Sequence, residues 1–176
     1  MTDSEHATPG LAPIVVSQYL AALEMLKAAI DRCPDDLWND PRDKTPVWHV
    51  AYHVLFYTHF YLQDSEDSFV PWVKHRQEYQ FIGPLPWPPH RAPEIGEPFD
   101  RATVLEYLAF CQAEARRRVP ALDLDAASGF DWLPFGKLEL QLYSIRHIQQ
   151  HTGELMERLG VRAGLDDLPW VGMGAA

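Results

Sequence analysis

Two histidines, His147 and His151, stand four residues apart in the stretch SIRHIQQHTGEL. In an α-helix four residues make little more than one turn, so both imidazoles project from the same face. Imidazole is the commonest protein ligand of metal ions. The pair could therefore hold a metal, with a third ligand from elsewhere in the chain. Without a metal, the same spacing describes two histidines at the surface.

The segment TPVWHVAYHVLFYTHFYL contains three further histidines among apolar residues. On a helix, His49 and His53 share a face, whereas His59 is rotated away from them. An unpaired imidazole buried there would cost about 1–3 kcal/mol. Either it bonds to a backbone carbonyl, or it shares an ion with His147 and His151. Three neutral imidazoles with a fourth position left to water or substrate form the open arrangement of catalytic zinc sites.

Four helices are predicted to position these histidines. Apolar residues recur every three or four positions in four segments, which run approximately over Pro13–Ile30, Val47–Leu62, Asp100–Val119 and Lys137–Leu159. We expect Thr45 and Asp100 to be N-caps and Gly160 to follow the last helix. On the last helix Leu140, Ser144, Ile148, Leu155 and Leu159 form the buried stripe, with both histidines on its shoulder.

The segment between Gln63 and Pro98 is too rich in proline to be regular. A long ordered loop in a compact domain is usually functional, so we expect part of Trp72–Pro98 to pack beside the metal site. The elements together predict an all-α fold. It is a four-helix bundle with a long proline-rich connection between the second and third main helices, in a single domain of residues 1–176.

Composition narrows the classes of partner and location. The formal net charge of -10 argues against nucleic acid or an anionic membrane surface. Two cysteines give no disulfide framework and no cysteine-rich zinc pattern. The N-terminal stretch MTDSEHATPG is too polar for a signal peptide, and we expect no membrane-spanning segment. A cytoplasmic protein is the resulting expectation.

The motifs TPVWHVAYHVLFY and RHIQQHTGEL, in this order, are similar to those of the DinB/YfiT-like family of metal-binding four-helix-bundle proteins. The resemblance extends from about Pro13 to Gly160. By position it implies His53, His147 and His151 as ligands of a divalent ion, zinc or nickel. His53 is favoured over His49 because it matches the family's spacing from the start of the helix. The resemblance also implies a homodimer.

The family resemblance implies a metal-dependent enzyme acting on a small molecule, either a transferase that uses a low-molecular-weight thiol or a hydrolase. The thiol would come from outside, since no cysteine belongs to the site. The alternative is a non-catalytic metal- or ligand-binding bundle with a stress-response role. A purely structural module would bind no metal. Metal content separates the last hypothesis from the other two.

Other residues near the motifs have two interpretations each. Glu154, three residues after His151, could orient that ligand or act as a base, although a glutamate at this spacing is more often simply solvated. Arg146 points away from the histidines and is expected at the surface. Tyr57 and Tyr143 could line the site or pack in the core. Cys111 is expected to be a buried apolar residue.

Overall fold

The described part of the chain folds into four long α-helices and one α-helix of a single turn, with two short 3-10 helices. The structure is a computed structural model that describes residues 10–175. Its helices are α1 (Leu11–Arg32), α2 (Asp35–Trp38), α3 (Val47–Tyr61), α4 (Arg101–Arg118) and α5 (Lys137–Ala163). Residues 10–175 contain no strand, only one isolated bridge between Ala127 and Gly136. The all-α prediction is confirmed. The stretch predicted not to be a signal peptide lies in residues 1–9, outside the described residues.

The four long helices form a ring in which each packs against two neighbours. Helix α5 contacts α1 on one side and α3 on the other, and α4 contacts the same two helices. Large side chains fill the centre, among them Tyr19, Leu23, Trp48, Tyr107 and Leu140, all 2% exposed or less. Inward side chains of facing helices therefore meet along the axis, where a bundle can build a polar site.

The predicted starts of two helices have different outcomes. Asp100 caps α4, because its Oδ1 accepts a hydrogen bond from the Thr103 N–H at 2.7 Å. The prediction that Thr45 caps α3 is wrong. Pro46 occupies the N-cap position, and its carbonyl accepts from the N–H groups of His49 and Val50. No side chain caps α3.

The predicted end of the last helix is also wrong. Helix α5 continues through Gly160 and ends at Ala163, with Gly164 as C-cap at φ 67°. A left-handed C-cap favours glycine, and because Gly160 and Gly164 are both glycines, the sequence alone allowed the helix to end at either. The N–H of Gly164 bonds back to the carbonyl of Gly160.

Lys137 fixes the start of α5 from inside the protein. Its side chain is 3% exposed, and its Nζ donates to the carbonyls of Gln63, Asp64 and Ser128. These three carbonyls follow the end of α3 or belong to the loop before α5. The lysine therefore sets the register of α5 against α3, the two helices that carry the histidine motifs.

Helix α1 is long and apolar enough to cross a membrane, by length and composition only. Of its most apolar 18 residues, 61% are buried inside the fold. That burial arises from the contacts of α1 with α4 and α5. A core helix of a bundle passes the same test.

Candidate metal centre

Helix α3 is buried on almost every side, and its two residues that are not fully buried lie at the candidate site. Thirteen of its fifteen residues are buried, and the two half-buried ones are His53 and Tyr57, one turn apart. Helix α5 faces these two residues with His147, which is half-buried, and His151, which is 8% exposed. The stripe predicted for α5 is buried throughout, so its two histidines lie on the shoulder as expected.

The three histidines converge. One ligand nitrogen from each of His53, His147 and His151 lies within 4.8 Å of the others. The ring centroids are 4.8–5.1 Å apart in all three pairs, an almost equilateral arrangement. His53 Nε2 and His147 Nε2 are 3.1 Å apart. Two nitrogens sharing an ion at about 2.0–2.1 Å each can be at most about 4.2 Å apart, so this pair already meets the requirement.

The proline-rich connection orients His53. His53 Nδ1 lies 2.6 Å from the carbonyl oxygen of Gln80, which can only accept, so Nδ1 carries the proton and Nε2 presents its lone pair to the cluster. Such a bond on the outer nitrogen is characteristic of metal-ligating histidines. Burial, together with the neighbouring histidines, lowers the pKa of His53 to about 3. The ring is neutral at physiological pH, as a ligand must be.

A carboxylate orients His151 in the same way. His151 Nδ1 lies 3.0 Å from Glu154 Oε2, so its Nδ1–H donates and its Nε2 is left for the cluster. Glu154 Oε1 accepts in turn from Arg158 at 3.3 Å, and Arg158 also donates to the carbonyl of Thr45. Glu154 is therefore both half exposed to solvent and bonded to the ring of His151.

His147 provides a test of whether a metal fits. Its Nδ1 is buried without a hydrogen-bond partner in the described part of the chain, and its Nε2 faces the lone pair of His53. If Nε2 carries the proton, Nδ1 is an unsatisfied acceptor. If Nδ1 carries it, two lone pairs oppose each other at 3.1 Å. A divalent cation would turn that opposition into shared coordination, so the donor set fits a metal.

The remaining histidines of α3 have partners outside the cluster. His49 Nε2 bonds to the carbonyl of Tyr79 at 2.9 Å, and its ring stacks on Trp48. His49 is only 5% exposed, because the proline-rich connection covers it. His59 Nδ1 pairs with the hydroxyl of Tyr107 at 3.2 Å.

The covering segment contacts the site with its backbone more than with its aromatic rings. The Gln80 carbonyl reaches His53, as described above. Trp72 instead stacks on Tyr107 of α4, with ring centroids 4.3 Å apart, and belongs to the core. Trp87 is 49% exposed and packs on Phe81. The expected packing of this segment beside the site is therefore supplied by the Gln80 backbone and not by Trp72.

Tyr57 is the aromatic residue that lines the cluster. Its ring lies 4.9 Å from that of His53 and 5.8 Å from that of His147. Burial raises the pKa of its hydroxyl to about 12, so it is a neutral hydrogen-bond group. Tyr143 packs against Tyr61 and Phe135 instead.

Neither cysteine can serve as a nucleophile here. Cys111 is fully buried and donates to the carbonyl of Leu55, and burial raises its pKa well above the ordinary value. Burial likewise raises the pKa of Cys33 to about 11. Arg146 is exposed, as predicted, and lies over the ring of Tyr143.

Two contributors to the site were missed in the sequence. The Gln80 carbonyl is a backbone group, so the residue type at this position does not indicate its contact with His53. Arg158 holds Glu154 from one turn further along α5, and the i, i+4 spacing of opposite charges was a signal that could have found it.

The chain was compared with families and with individual proteins. The family model described as DinB superfamily matches residues 18–155, which include all three converging histidines. No curated protein and no solved structure matches the chain.

Proposed function

The chain belongs to the DinB superfamily, and on that premise we propose that it is a metal-dependent enzyme whose ion is held by His53, His147 and His151. The observation that carries the proposal is the convergence of three imidazoles, two of them with the outer nitrogen hydrogen-bonded to an oxygen acceptor. The family resemblance and the nitrogen donors favour zinc or nickel over magnesium or calcium.

Three protein ligands leave a coordination position for water or substrate, which favours a catalytic over a structural ion. A divalent ion at this position would supply Lewis acidity, which lowers the pKa of a bound water or thiol. Gln80 and Glu154 would keep the ligand rings in the required tautomer and orientation. Tyr57, at the half-buried edge of the cluster, would contact a small substrate and offer its hydroxyl as a hydrogen-bond group.

The reaction we propose is transfer of a low-molecular-weight thiol to a small electrophile, with hydrolysis of a small molecule as the second candidate. The buried state of Cys33 and Cys111 requires that any reacting thiol come from outside the chain. Glu154 would hold the Nδ1 proton of His151 in place while remaining half exposed to solvent. The family resemblance supports a cytoplasmic homodimer.

Metal analysis of protein purified without an affinity tag tests the proposal. We expect about one zinc or nickel ion per folded chain, and loss of most of it in His53→Ala and in His151→Ala. His49→Ala is the matched control, because His49 lies one turn earlier on the same helix and bonds to Tyr79 instead. It should keep near-normal metal content.

Equal loss of metal in His49→Ala and His53→Ala would indicate a closed, four-histidine site and favour the non-catalytic metal-binding alternative. Wild-type protein without metal after reconstitution with zinc and with nickel would refute the metal site. To separate the two reactions, metal-loaded protein is assayed on a chromogenic aryl halide with and without N-acetylcysteine, and on a nitrophenyl ester without thiol. A rate that requires both metal and thiol supports the transferase.

A further inference from the structure

A cavity of about 470 Å³ lies between the start of α3 and the proline-rich connection. Its walls are mainly apolar and include Trp48, Phe81, Ile82, Pro93 and Ile95. The volume is within the range of about 300–1,000 Å³ that is usual for small-molecule sites. His49 lines the cavity one turn before His53, so the cavity adjoins the histidine cluster without containing it.

The polar side chains in this apolar lining are those of Lys44, Asn39, Thr45 and His49. Lys44 is exposed and forms no ion pair with a carboxylate of residues 10–175. Asn39 Oδ1 accepts from the indole N–H of Trp48 at 2.9 Å, which leaves the amide N–H groups of Asn39 to donate elsewhere. The cavity therefore offers a cation and a neutral donor, and both suit a carboxylate.

The charges next to Lys44 are balanced without it, although the chain as a whole carries a net charge of -10. An ion-pair network beside the cavity combines three carboxylates with three guanidinium groups, those of Asp40, Asp43, Glu154, Arg42, Arg158 and Arg162. The charges of this network cancel one another, and Lys44 is the one lysine, arginine or carboxylate residue in the cavity lining.

We propose that this cavity binds a small molecule with a flat apolar body and a single carboxylate. The body packs against Trp48 and Phe81, and the carboxylate faces Lys44 and Asn39. Aromatic walls favour a flat ring, and the one lysine in the lining favours a single anionic group. The inference stands on the cavity and does not require a metal at the histidine cluster, so it goes beyond the proposed function.

The test compares naphthoate with its neutral isostere naphthamide. Binding is followed by NMR through the indole N–H resonance of Trp48. We expect wild-type protein to bind naphthoate about threefold more tightly than naphthamide, the size of one partly exposed charge interaction. Lys44→Met should abolish this preference. Lys27→Met is the control, since Lys27 pairs with Asp31 on α1, and it should retain the preference.

A second pair of variants tests the cavity itself. Ile82→Trp should fill the cavity and weaken both probes by about tenfold, because the added ring occupies their space. Val73→Trp, at a side chain that is 88% exposed and outside the cavity lining, should leave both affinities unchanged. Circular dichroism melts confirm that the variants compared are folded.

Two results would overturn the inference: equal affinity of wild-type protein for the two probes, or a preference for naphthoate that survives Lys44→Met. The metal-site variant His53→Ala keeps the cavity lining intact. If it loses metal but still binds naphthoate, the cavity stands; if wild-type protein holds metal but does not bind naphthoate, only the cavity fails.

Discussion

Replacing Glu154 by glutamine tests whether the carboxylate that orients His151 contributes to metal affinity. The change keeps the size of the side chain and an oxygen acceptor within reach of His151 Nδ1. It removes the charge that strengthens the 3.0 Å bond and the contact with Arg158. Loss of such an outer partner typically weakens metal binding 10- to 100-fold.

The structure sets the expected size at the lower end of that range. The Glu154 side chain is 49% exposed, so water screens its charge and can replace part of its hydrogen bonding. We therefore expect Glu154→Gln to raise the zinc dissociation constant about tenfold, or about 1.4 kcal/mol. The measurement is a competition titration against a chromophoric chelator at fixed pH and ionic strength.

Glu157→Gln is the matched control for this prediction. It makes the same change of charge on the same helix, and Glu157 is exposed with no ion pair in the described residues. If Glu157→Gln weakens zinc binding as much as Glu154→Gln, the effect is one of net charge and the orienting role is refuted. Unchanged affinity in Glu154→Gln would refute it directly.

Three further predictions concern stability. Lys137→Met should lower the free energy of unfolding by about 2 kcal/mol in urea titrations, because three carbonyls lose their donor. Unchanged stability would refute the role of Lys137 in setting the register of α5 against α3. Asp100→Ala should cost about 1 kcal/mol in the same assay through loss of the cap, whereas Asp100→Asn should cost less. Metal-free protein should become less stable as the pH falls from about 7 to about 5. The folded-state pKa values of His53 and His147, about 3 and 4, lie below the 6.5 of an unfolded histidine, so the unfolded chain binds more protons in that window. We expect up to about 2 kcal/mol from each, seen as a fall in Tm; a Tm constant over this range would contradict it.

The helical part of the site was predictable because helix geometry is rigid. Once His147 and His151 lie on one helix, a four-residue spacing fixes their common face whatever surrounds them. The position of His53 opposite them follows from the bundle, in which α3 and α5 are neighbours. The choice of His53 over His49 rested on the family resemblance, since both residues share the face that spacing defines.

The irregular part could not be predicted in the same way. Gln80 and Tyr79 contact His53 and His49 through carbonyl groups, which every residue has. Their positions depend on the path of a proline-rich segment without helical or strand periodicity, so residue types do not locate them. The end of α5 was ambiguous for another reason. Gly160 and Gly164 are both chemically able to end a helix, and of the two only Gly164 adopts the left-handed conformation.

The cluster also shows why stability of the metal-free chain and metal affinity oppose each other in this fold. Burying His53 and His147 side by side depresses their pKa values, which means that the protein binds protons there less readily than water-exposed imidazole would. The same environment leaves His147 Nδ1 without a partner and sets two ring nitrogens 3.1 Å apart. All three features destabilise the metal-free chain, whereas the lowered pKa values also favour a cation, because fewer protons compete for the ring lone pairs. An apolar pair at these positions would stabilise the bundle better, so the histidines are best explained by what they bind.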